Sequence, residues 1–180
     1  MSKMSEEMVI LVDVNDDEQG VMEKLHAHKN GGTRHRAFSI FIFNTKGEVL
    51  LQQRAAHKYH SGGLWTNTCC SHPQPGESVL DAASRRLMEE MGMTCNNLEY
   101  KFKFEYKAAL DHGMTEWEID HVVFGISDSK PNLNSEEVQD YKYVSLEELD
   151  QSINSEPEMY TAWLKDCFSK VLEFASNEKK

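Results

Sequence analysis

The feature that most constrains the fold is a pair of alternating segments on either side of a tight turn. Tyr100–Ala108 interleaves Tyr100, Phe102, Phe104 and Tyr106 with Lys101, Lys103, Glu105 and Lys107, and Thr115–Ile126 follows after Asp111-His112-Gly113. A two-residue period sends successive side chains to opposite faces of a strand, so this pattern predicts a hairpin with one aromatic face. Further strands are predicted at Met8–Val14, ending in Asn15-Asp16-Asp17, at Ala37–Asn44 and Glu48–Arg54, joined by a turn, and at Asp140–Val144. His57–Asn67 reads as a loop around Gly62-Gly63. Ser78–Met91 predicts a helix, with Leu80, Ala83, Leu87 and Met91 in one apolar stripe and Gly92 as its stop. Ser145 with Glu148, and Ser155 with Glu158, have capping-box spacing. They predict a short helix and then a last helix with Trp163, Cys167, Phe168 and Val171 on its apolar face. Strands and helices mix without regular βαβ alternation, so the expected class is α+β and layered. With no linker in 180 residues, one domain over 1–180 is expected, its termini (about 1–7 and 175–180) flexible.

Charge narrows the function. A formal net charge of −11 repels phosphate backbones, which argues against a nucleic-acid partner. Between Gly20 and His60, however, seven Lys/Arg (Lys24, Lys29, Arg34, Arg36, Lys46, Arg54, Lys58) face only Glu23 and Glu48, and five of the eight histidines lie there. Such a window suits a small anionic ligand, and equally a solvated loop. The apolar run Ala37–Phe43 is far too short to span a bilayer, and the start MSKMSEEMVI has no basic signal region, so a cytoplasmic protein without a membrane partner is expected. Cys69, Cys70, Cys95 and Cys167 do not resemble a disulfide framework and read as free thiols.

Two groups of residues carry possible chemistry. Glu116 and Glu118 share one face of their strand, with Trp117 and Ile119 turned the other way toward an expected core. Paired carboxylates suit a cation between them or a solvated surface. His28 and His35 flank Gly31-Gly32, and His72 follows Cys70-Ser71. Three imidazoles and two carboxylates would suit a divalent ion, although spacing alone does not bring these segments together.

Ser71, Glu77, Arg85, Leu87, Glu89, Glu90, Gly92 and Met93 are similar to the Nudix box, with Ser71 in place of its first glycine and Arg86 in place of a glutamate. Arg86 places a fork of donors where that box usually places a metal-binding carboxylate. Trp65-Thr66-Asn67-Thr68-Cys69-Cys70-Ser71-His72-Pro73 and Thr115-Glu116-Trp117-Glu118 resemble the two signatures of the type I isopentenyl diphosphate isomerases, and the similarity runs from about Met8 to Phe174.

That resemblance implies a Nudix-type mixed sheet layered between helices, with an N-terminal extension. It implies that His28, His35, His72, Glu116 and Glu118 hold one divalent metal (Mn²⁺, Zn²⁺ or Mg²⁺). Glu90 and the backbone carbonyl of Cys70 would support a Mg²⁺ carried by the substrate diphosphate. Lys24, Arg54, Lys58 and Arg86 would grip that diphosphate. Cys70 and Glu118 would form the acid/base pair, with Tyr106 beside the catalytic glutamate and Trp163 as the aromatic wall. Trp163 also reads as ordinary helix-face core. The implied activity interconverts isopentenyl and dimethylallyl diphosphate, in a monomer or weak dimer. The rival reading is a Nudix hydrolase of a small diphosphate, against which Arg86 and the Cys70/Glu118 pair argue.

Overall fold

The computed structural model describes residues 7–178, so of the two expected flexible termini 1–6 and 179–180 lie outside the described residues, whereas residues 175–177 are still helical. Among the described residues, nine strands form one mixed sheet around β3 (His35–Phe43). In chain order, β1 (Met8–Val12) and β2 (Glu18–Glu23) form an edge hairpin, and a one-turn helix α1 (Lys24–Ala27) leads into β3. Then come β4 (Val49–Arg54), the short β5 (Trp65–Thr66) and β6 (Cys69–Ser71), and helix α2 (Val79–Met91). The predicted hairpin is present as β7 (Glu99–Ala109) and β8 (Thr115–Ile126), and β9 (Val138–Val144), α3 (Leu146–Ser155) and α4 (Ala162–Asn177) complete the chain.

β3 runs parallel to β8 over nine paired positions, from His35 opposite Glu118 to Phe43 opposite Ile126, and antiparallel to β6. Its apolar run is buried on both faces, as expected of a central strand. Phe38, Ile40 and Ile42 pack with Ala83, Leu87 and Met91 of α2, whereas Phe41 packs with Leu164, Phe168 and Val171 of α4. The sheet is therefore layered between helices. No helix among the described residues is long and apolar enough to cross a membrane.

Several local expectations change. β3 and β4 pair only at Phe43–Val49, because β4 turns away to pair with β9 and β5. β2 has no alternating pattern and is an exposed edge recruited by β1. A bulge between Tyr100 and Phe102 turns Tyr100 away from the aromatic face and leaves it exposed. Leu80 is 40% exposed, whereas Val79 before it packs against the core and full burial on α2 begins at Ala82. Gly92 ends α2 at φ 61°, and a side chain there would run into the Asn132 carbonyl.

The Ser145–Glu148 capping box forms. The Ser155–Glu158 box does not. Pro157 forces Glu156 out of helical geometry, so Ser155 closes α3, and α4 begins only after Thr161. The Thr161 hydroxyl meets that of Thr66 at 2.8 Å instead of capping the helix.

Candidate active site

The site occupies one end of a single sheet face. Alternation points Glu116, Glu118, Asp120, Val122 and Phe124 of β8 to the side covered by α4, and His35, Ser39 and Phe41 of β3 point the same way. At the far end this face is apolar, where Phe41, Val122 and Phe124 join the α4 core. At the near end, the same geometry buries His35, Glu116, Glu118 and Asp120, each no more than 4% exposed. Two acids on a solvated strand face are thereby ruled out. Ile119 packs with Ile10 and Val12 on the opposite face, but Trp117 is not core: it is half-buried between Arg34 and Lys107, and its indole donates to Glu105 at 2.8 Å. The two cations and the acid need water, which keeps that end of the face open.

Three segments bring nitrogen to this end. His28 caps α1, His35 begins β3 and His72 follows β6. One ligand atom from each of His28, His35, His72 and Glu118 lies within 4.8 Å of the others. The outer nitrogens are held: His35 Nδ1 donates to the Thr33 carbonyl at 2.7 Å, and His28 Nδ1 meets the Tyr59 hydroxyl at 3.0 Å. His28 Nε2, His35 Nε2 and His72 Nδ1 are buried with no hydrogen-bond partner among the described residues. Buried, unpaired imidazole nitrogens around a carboxylate are costly unless an ion completes them, so this donor set fits a divalent metal.

Electrostatics agrees. Burial pushes His28 down to about pKa 3, leaving it neutral, the form that binds metal. Burial works against the Glu118 carboxylate, yet its hydrogen bond with His72 Nε2 at 3.0 Å and the nearby His35 imidazole, with Nε2 3.3 Å away, hold it well below the usual carboxylate range. A titration consequence follows for the metal-free protein. The unfolded His28 takes up a proton near pH 6.5 and the folded one only near pH 3, so its contribution is intact above 6.5 and declines as pH falls through that window. Metal-free His28→Gln should lose stability less steeply than wild type between pH 6 and 4, by roughly 1.4 kcal/mol per pH unit. Equal slopes in urea unfolding at several pH values would contradict this.

Glu116 stands apart from that four-residue group. Its Oε2 lies 3.5 Å from His60 Nε2, and burial together with the Glu118 charge pushes its carboxyl well above the ordinary range. The Tyr106 hydroxyl, buried and without a well-formed hydrogen bond, neighbours Glu116 more closely than Glu118, although Tyr106 sits opposite Glu118 in the β7–β8 ladder.

Cys70 pairs with Ser39, and Cys69 with Ile40, across β3 and β6. Cross-strand partners share a face. Cys70 therefore lines the cavity with Glu116, Glu118 and Trp163, while Cys69 packs beneath α2 and bonds Glu90. Burial pushes the Cys70 thiol up, so it is a neutral S–H. Trp163, in the first turn of α4, donates to Asn67 at 3.2 Å and has the Arg54 guanidinium 5.2 Å from its ring.

All four expected cations, Lys24, Arg54, Lys58 and Arg86, line the same cavity. Lys24 pairs with Glu7, Lys58 with Glu137 at 2.5 Å, and Arg86 with Glu90 at 2.9 Å. The rest of the basic window serves other ends: Arg34 bonds Glu105, and Arg36 bonds Asp16 and Glu18. His60, Asp120, Tyr59 and Glu137 also belong to the site but were not singled out from sequence. Asp120 had a signal, the continued alternation after Glu118, whereas Glu137 lies in a loop with no local pattern.

The NUDIX domain family matches residues 33–164. Isopentenyl-diphosphate Delta-isomerase of Pectobacterium atrosepticum is 50% identical over 166 residues, covering 92% of this chain and 92% of the relative. Isopentenyl-diphosphate Delta-isomerase 1 of Aromatoleum aromaticum is 51% identical over 167 residues, 93% of each chain. Among solved structures, DR0079 from Deinococcus radiodurans superposes with a TM-score of 0.74 at 18% identity, over 91% of this chain and 98% of that one. At such identity the likeness speaks for fold alone.

Proposed function

The chain belongs to the isopentenyl-diphosphate Delta-isomerases, built on the NUDIX domain, and from that membership we propose how its site moves a double bond. The enzyme interconverts isopentenyl and dimethylallyl diphosphate. One proton is added at the terminal alkene carbon and another is lost from the carbon two bonds away, so atoms are conserved and no phosphate is released. The observation that carries the mechanism is a neutral thiol, Cys70, sharing one cavity with the β8 carboxylates and Trp163, beside four cations.

Lys24, Arg54, Lys58 and Arg86 hold the diphosphate by charge-assisted hydrogen bonds. Glu90, with the Cys70 carbonyl, would support a Mg²⁺ arriving with the substrate. His28, His35, His72 and Glu118, joined by Glu116, would hold the resident divalent ion. Such an ion would supply Lewis-acid charge that keeps Glu118 ionised and oriented. Cys70 and Glu118 then give and take the two protons from opposite faces of the five-carbon chain, in an order that reverses with reaction direction. Tyr106 orients the glutamates. The Trp163 ring face stabilises developing positive charge at the tertiary carbon, by about 0.5–2 kcal/mol.

The test is turnover of isopentenyl diphosphate in D₂O with metal stripped and then restored. Restored enzyme should place deuterium in both isomers, and stripped enzyme should place almost none. Phosphate release, or deuteration indifferent to metal, would sink the reading.

A further inference from the structure

The loop His57–Gly63 carries a histidine that this mechanism leaves unused. His60 is 5% exposed, and three independent contacts deliver it to Glu116. Arg54 donates to the His60 carbonyl at 3.2 Å. Ser61 holds a left-handed backbone at φ 53°, unusual for a residue with a side chain, and its N–H is tied to Asp111 in the β7–β8 turn at 3.0 Å. Gly62 follows with its backbone so near the Ala56 carbonyl that a side chain there would sit 2.5 Å from the oxygen. The ring stands edge-on to both Tyr59 and Trp163, with centroids 4.6 and 6.0 Å away. A strained, pinned loop that buries an imidazole against a carboxylate indicates a selected geometry rather than a surface histidine.

We propose that His60 is a positioning residue. Its Nε2–H donates to Glu116 Oε2 and holds that side chain on the ion-facing side of the cavity, so that the second glutamate can complete the metal centre. The partners set the tautomer. The Glu116 carboxylate 3.5 Å from Nε2 can only accept when ionised, which places the proton on Nε2 and leaves Nδ1 to accept from the Ser61 hydroxyl 3.2 Å away. His60 therefore supplies a dipolar donor and adds no positive charge beside the ion. Metal-ligating carboxylates depend on such outer hydrogen bonds, and losing one typically lowers metal affinity about 10–100-fold.

The inference rests on the metal centre proposed above, so its test begins with wild-type binding. Mn²⁺ titration by calorimetry, without substrate, should give Kd values at least about tenfold weaker for His60→Phe, which keeps a packed ring but no donor. His60→Gln, which restores an N–H near the Nε2 position, should recover most of the affinity. Both variants are compared at matched unfolding temperature. Long-range ¹H–¹⁵N spectra of metal-free wild type should show His60 as the Nε2–H tautomer. Failure of wild type to bind Mn²⁺ would overturn the metal centre itself. Normal Mn²⁺ affinity in His60→Phe, absence of rescue in His60→Gln, or an Nδ1–H tautomer would overturn the role of His60 alone.

Discussion

Cys70→Ala is expected to lower kcat for isomerisation by at least about a thousandfold, within the range that positioned acid/base groups contribute. An isolated alkene is a very weak base, so a donor must be held against it, and a neutral thiol lining the cavity can do this without the desolvation cost of a charged acid. No other thiol can substitute. Cys69 faces α2 on the other side of β6, and Cys167 is buried in the core beneath α4. The variant should fold normally, because β6 is held by its backbone ladder to β3 and by Asn67, which donates to the Ile40 and Cys69 carbonyls at 3.0 and 2.8 Å. KM should change little, since the four cations that hold the diphosphate are untouched. Steady-state rates with unfolding temperatures check this. Activity within tenfold of wild type would remove the thiol from the mechanism.

How much of this site was legible depended on whether its geometry was local. Alternation along β8 put Glu116 and Glu118 on one face, and adjacency put Cys69 and Cys70 on opposite faces. Both readings need only the pleat of one strand. Whether that face was wet or buried depended on the parallel pairing of β3 with β8, which joins segments some eighty positions apart and has no local signature. The same holds for Glu137, which reaches Lys58 and Arg86 from the loop before β9, and for Tyr59, which fixes one imidazole. Capping signals behaved alike. The Ser145 box had an uninterrupted helix behind it and formed, whereas the Ser155 box was overruled two residues on by Pro157. Family resemblance supplied the long-range assignments that pattern reading left open. It did not reach His60, whose contact with Glu116 depends on a left-handed serine and a glycine with no room for a side chain.

Glu118→Gln should separate shape from charge at the centre of the site. The amide keeps the size of the carboxylate and can still accept from His72, so the metal-free variant should unfold within a few degrees of wild type. What disappears is the negative charge among three neutral imidazoles. Glu116 is a poor replacement, because burial pushes its carboxyl toward the protonated form and its nearest nitrogen is that of His60 rather than the cluster. Divalent affinity should therefore fall at least about a hundredfold, beyond the 10–100-fold typical of losing an outer hydrogen bond. Added Mn²⁺ at a hundred times the wild-type Kd should stabilise wild type by about 2.7 kcal/mol and the variant by no more than about 0.4 kcal/mol. Turnover should fall by a thousandfold or more, since the same substitution removes the proton acceptor facing Cys70. Thermal unfolding with and without Mn²⁺ reads the first effect and deuterium exchange the second. A variant that gained the full metal-dependent stability would place the ion elsewhere, and one that still exchanged protons would shift the acid/base role to Glu116.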